Sequence, residues 1–120
     1  MKKFISLFLI SIVMLSLVAC NKECPVIGTW EEKYFAYDGG LVEDTLTIYE
    51  NGYAEWHSWW TRANGEKQVN GSREYDWEYS NGRLRLEDKT SVWWLIYDAN
   101  AGTLTGRIAS VDDGVYKRVN

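Results

Sequence analysis

The sequence is short of the residues from which most enzyme and metal sites are built. Its 120 residues include one histidine, His57, two cysteines, Cys20 and Cys24, and one proline, Pro25. A zinc site gathers about three or four His, Cys or carboxylate ligands, and a nucleophile relay needs a base beside its nucleophile. One histidine without a Gly-x-Ser-x-Gly elbow offers neither. No catalytic residue, no metal and no cofactor is therefore expected. The lone proline lies ahead of the first strand-like segment, where it interrupts no hydrogen-bond ladder. Basic charge is also scarce, with 13 Lys and Arg against 17 Asp and Glu. This balance disfavours a nucleic-acid partner.

The one long hydrophobic run is at the start. Lys2 and Lys3 precede an apolar and hydroxyl stretch from Phe4 to Val18, followed by the small Ala19 and then the polar Asn21-Lys22-Glu23. This is the layout of a secretory signal, too short and too abruptly ended for a membrane span of about 20 residues. Removal of Lys2 and Lys3 with it leaves 11 basic against 17 acidic side chains, a net charge of −6. About 100 residues remain, enough for one domain with one core. Residues 1–19 are read as the signal peptide, 20–25 as a tether and 26–120 as the domain.

At its end, Leu17-Val18-Ala19-Cys20 resembles the lipobox of bacterial lipoproteins. The resemblance implies cleavage before Cys20, diacylglyceryl on its sulfur and acyl chains such as palmitate, a firmer hold on a membrane than one chain gives. Asn21 rather than Asp after this cysteine favours the outer membrane, facing the periplasm or the surface. With Cys20 acylated, no structural disulfide is expected, and Cys24 reads as a passive tether residue.

Turn signals then recur at short intervals: Asp38-Gly39-Gly40, Asn51-Gly52, Asn64-Gly65, Asn70-Gly71, Asn81-Gly82, Asn100-Ala101-Gly102 and Asp112-Asp113-Gly114. Each supplies residues that tolerate positive φ, as tight hairpins require. Between them run segments rich in Trp, Tyr, Thr, Val and Ile, predicting strands over 26–37, 41–50, 53–62, 73–80, 83–88, 91–98, 103–110 and 115–119. Eight antiparallel strands joined by short links can close into an up-and-down barrel, which removes exposed edges. The expected fold is all-β.

Gly28-Thr29-Trp30 resembles the Gly-x-Trp motif of the lipocalin first strand, and Arg118 resembles the arginine that packs across that tryptophan. The wider pattern is similar to that of the short lipocalin-like lipoproteins of Bacteroidota: Tyr-x-Trp-x-Tyr at 75–79, Asn-Gly-x-Leu-x-Leu at 81–86 and a final Tyr116-Lys117-Arg118. The resemblance implies a lipocalin-like barrel closed by Gly28, Trp30 and Arg118, with these three as structural residues. The Thr-Asp-Tyr motif of larger lipocalins is missing.

Three groups of side chains invite a functional reading. His57 shares a strand face with Glu55, which would suit a general base, but without a companion it reads as an outer-face residue. Glu74, Asp76 and Glu78 form an acidic row, about 6.5–7 Å from one to the next along a strand. Such a row could serve as a carboxylate pair or a loose Ca²⁺ site, but it reads as a solvated face paired with Arg83 and Arg85.

Tryptophan is the surplus, at seven residues. Neighbours on a strand point to opposite faces, so Trp59-Trp60 and Trp93-Trp94 each put one indole inside and one outside. Ala54, Trp56, Ser58 and Trp60 take the inward phase, with Trp77 and one of Trp93 or Trp94. Strand 91–98 is apolar on both faces, as if both were covered. The inward aromatics either fill the barrel or line a pocket near one mouth. In the second case Trp56, Trp60, Tyr75, Trp77 and Trp94 would bind a small apolar or glycan ligand. The outward tryptophans would instead suit a protein partner in the cell envelope.

Overall fold

The computed structural model describes residues 24–109 and 113–119. The signal segment, Cys20 and Asp112 fall outside these residues. The eight strands are β1 (Gly28–Phe35), β2 (Leu41–Ile48), β3 (Tyr53–Thr61), β4 (Lys67–Ser80), β5 (Arg83–Glu87), β6 (Val92–Asp98), β7 (Thr103–Gly106) and β8 (Gly114–Arg118). Each pairs antiparallel with the next, and β8 returns to β1 to close an up-and-down barrel, consistent with a lipocalin-like fold.

Period-two patterning explains which side of each strand is buried. In β2, Val42, Asp44, Leu46 and Ile48 face in, while their neighbours are half exposed. In β4, Tyr75 and Trp77 are buried, whereas Glu74, Asp76 and Glu78 are exposed. The interior around Trp30, Leu46, Trp56, Trp77, Leu86 and Leu104 is packed with large side chains. Edge-on ring contacts tie Tyr97 to Trp30 at 6.2 Å and to Tyr79 at 6.3 Å. Tightly interdigitated aromatics leave little void in a barrel of eight strands.

The expected closure residues meet at one end of the barrel. Trp30 and Arg118 are register partners across the β1–β8 seam, and the guanidinium carbon lies 4.3 Å from the indole centroid. Arg118 also donates to the Ile27 carbonyl at 2.8 Å and to the Pro25 carbonyl. Trp30 is fully buried, and its Nε1 donates to the Val26 carbonyl at 2.8 Å. The segment before β1 is thus a plug held from both sides.

Three expectations need correction. Asn70-Gly71 is not a turn: β4 runs on through it to Lys67, because the segment pairs with β3 along its whole length. Ser58 is opposite Gly71 and Trp59 is opposite Val69, which makes Asn70 the extra residue of a β-bulge. Strand 103–110 ends early, at Gly106, where the backbone carbonyl of Trp94 would lie 2.3 Å from any Cβ. Finally, Cys24 is buried in the core cluster and disulfide-bonded, contrary to the expectation of no structural disulfide.

Candidate functional site

The pairing of β1 with β8 covers only Trp30↔Arg118 and Glu31↔Lys117. Beyond Glu31 the two strands part, and a cavity of about 240 Å³ opens between them at the end of the barrel away from the Trp30 plug. Glu32 and Tyr34 of β1, Asp44 of β2 and Tyr116 of β8 line it, with Ile108 and Asp113 on the far side.

Strand register explains why acidic groups collect there. Glu32 follows Trp30 by two residues and Asp44 precedes Leu46 by two, so both continue inward phases that are apolar on the plug side. They are cross-strand partners, and Asp44 is in turn opposite Ser58 of β3. One inward row therefore reads Glu32, Asp44, Ser58. Asn70, the bulge residue, closes it by donating from Nδ2 to Ser58 Oγ at 3.0 Å.

Asp44 is only 5% exposed, and its Oδ1 is buried without a hydrogen-bond partner. Burial raises its pKa, an effect partly offset by the Ser58 hydroxyl. The Glu32 carboxyl is also raised, first by burial and then by the Asp44 charge, against a lowering contact from the Val115 N–H. Gly114 makes room for it, since a Cβ there would lie 2.4 Å from both carboxylate oxygens. Tyr116 is pushed far up by burial and by Asp44, so its hydroxyl stays protonated, and it accepts a bond from Trp56 Nε1 at 3.2 Å.

The five aromatic residues expected to bind a ligand do not share one surface. Trp56 sits beneath the cavity on Tyr116, and Trp60 lies one inward position beyond Ser58 toward the open end, with the Tyr37 ring 6.3 Å away. Tyr75 and Trp77 are packed in the core, where Trp77 Nε1 donates to the Tyr49 carbonyl at 2.8 Å. Trp94 is 54% exposed on the outer face above Arg85, which corrects its inward assignment. Trp93 is the inward member, packed against the core. Leu95, two residues after Trp93 and fully buried, fixes that phase.

No protein-family model, curated protein or solved structure matches this chain.

The outer-face groups stay outside. Ser72 Oγ lies 3.1 Å from His57 Nδ1, and Glu55 Oε2 lies 3.4 Å from His57 Nε2. The spacing is that of a relay, but none of the three lines the mouth cavity, and the strand carrying His57 uses its backbone donors in the sheet. In the acidic row, Glu78 pairs with Arg85 at 3.8 Å, while Arg83 lies opposite Ser80. Glu32 and Asp44 were the residues missed. Carrying the Trp30 phase forward and the Leu46 phase backward would have found both.

Proposed function

We propose that this chain is a non-enzymatic, lipid-anchored envelope protein whose barrel binds one small ligand at its acidic mouth. The observation that carries the reading is Asp44: a buried carboxylate oxygen with no partner, in a cavity open to solvent. An unsatisfied buried acceptor costs about 1–3 kcal/mol, which a donor from a ligand can recover. The packed interior argues against a large apolar guest, and the scattered indoles argue against a sugar-stacking platform. The anchor rests on the lipobox resemblance at Leu17–Cys20.

Two measurements test the two halves. Metabolic labelling of the full chain with an alkynyl palmitate analogue should mark the wild type and not Cys20→Ala. A thioether and a disulfide exclude each other at one sulfur, so intact mass before and after reduction reports which state Cys20 holds in the membrane. For the ligand, a panel of small polar molecules should shift backbone resonances of Glu32, Asp44 and Tyr116. A panel that leaves all three unmoved would remove the binding reading.

A second reading, docking of an envelope protein, is favoured by the outer row of β6. Val92, Trp94 and Ile96 are 42%, 54% and 60% exposed, and Ile96 continues through Thr105 of β7 to the exposed Val115 of β8. Co-purification from crosslinked membranes that survives Trp94→Ser would exclude this row as the contact.

A further inference from the structure

We propose that the ligand of the mouth cavity is a small protonated primary amine. The proposal rests on the reading of this barrel as a ligand binder and names the class of its guest.

An ionised carboxylate only accepts hydrogen bonds, and a primary ammonium only donates, three at a time. Asp44 Oδ1 is the open acceptor, in a side chain 5% exposed, and Glu32 faces it from the neighbouring strand. A quaternary ammonium has no N–H to give Oδ1, and an alcohol brings no charge to set against two carboxylates. A charged donor makes the shorter, stronger bond.

Glu32, Asp44 and Asp113 reach the cavity wall, and among the described residues no lysine, arginine or histidine does. Arg107 is spent on Asp113 at 3.0 Å and is half exposed to solvent. Among the described residues, no three carboxylate, His or Cys side chains gather closely enough to hold a metal ion. Burial and the Asp44 charge raise the Glu32 pKa, and burial raises that of Asp44, in a half-enclosed site with no cation in its described lining to relieve them. A guest ammonium supplies that relief.

A cavity of about 240 Å³ falls below the range of roughly 300–1,000 Å³ typical of drug-sized ligands, so the guest is a few heavy atoms long. Tyr34, Ile108 and Tyr116 supply apolar wall for a short alkyl tail.

The test uses the full chain and three probes of matched length: n-butylammonium, 1-butanol and butyrate. Chemical shifts at Asp44 and Tyr116 are followed at pH 7, with thermal denaturation to confirm folding of each variant. Butylammonium should saturate these shifts at least about tenfold more tightly than butanol, with butyrate inert. Asp44→Asn should erase that preference, and Glu32→Gln should reduce it. Binding should also strengthen from pH 5 to pH 7.5, as Glu32 and Asp44 ionise beside the protonated Tyr116, the Tyr34 ring and the more exposed Asp113. Equal or tighter binding of butanol or butyrate at these residues overturns the amine and leaves the binding barrel standing. Silence of the mouth resonances to all three probes overturns the amine, and silence to the wider panel removes the barrel reading as well.

Discussion

A Cβ on Gly28 would lie 2.6 Å from Arg118 Nη1. The guanidinium that covers Trp30 and holds the Ile27 and Pro25 carbonyls therefore needs glycine beneath it, at a φ of +135°. Conformation and close approach both explain the first residue of the Gly-Thr-Trp motif.

Gly28→Ala should cost about 1–3 kcal/mol in urea unfolding, through backbone strain and displacement of Arg118. Arg118→Ala should cost about 2 kcal/mol, since it loses the cation–π contact and the bonds to two carbonyls. In the double variant the displacement penalty disappears, so the two losses should sum to more than the measured total. Simple additivity would show that Arg118 does not press on Gly28.

The bulge at Asn70 allows a deletion test. Because Ser58 is opposite Gly71 and Trp59 is opposite Val69, removing Asn70 leaves every remaining pair in register and every side chain on its present face. The chain lacking Asn70 should fold, losing about 1–2 kcal/mol with the Ser58 donor. A collapse of β-sheet circular dichroism would mean that the bulge sets the register.

Strand number, order and inward phase were legible because alternation is a local property, and the turns at Asn51-Gly52 and Asn81-Gly82 carry the positive φ their residues allow. Asn70-Gly71 misled because the same two residues suit a hairpin or a bulge, and only the long pairing with β3 decides between them. The mouth stayed hidden for a related reason. Glu32 and Asp44 looked like ordinary surface charges until the register of β1 with β2 put them opposite each other inside the barrel. Strand 91–98 could not be phased at all, because both of its faces are apolar.

That strand now separates two substitutions of the same kind. Trp93 packs on the core and donates to Ser91 Oγ at 3.1 Å, so Trp93→Ser should cost about 2–4 kcal/mol of stability. Trp94 lies outside, and Trp94→Ser should change stability by no more than about 0.5 kcal/mol. The midpoints of two urea curves check this. A large loss at Trp94 would mean that the outer row is already packed against something.

The mouth carboxyls also set a pH dependence. Glu32 and Asp44 have folded pKa values above their ordinary 4.5 and 3.8, so the native state holds protons that the unfolded chain has released. Stability from this source is fully present below those ordinary values and is lost as pH rises through the raised ones. Asp88 works the other way. Its carboxylate accepts the Thr90 and Ser91 N–H groups at 2.9 and 2.7 Å, which lowers its pKa below 3.8, so its contribution is present above 3.8 and fades as pH falls through the lowered value. Thermal unfolding should therefore show greatest stability on the acid side of neutrality, falling toward pH 7 and again toward pH 3. Asp44→Asn should raise the midpoint at pH 7 and flatten the neutral limb. Asp88→Asn should lower the midpoint at pH 7 and flatten the acid limb. An Asp44→Asn protein less stable than wild type at pH 7 would mean that the ionised carboxylate is held by a partner, and would remove the physical basis for an open acceptor at the mouth.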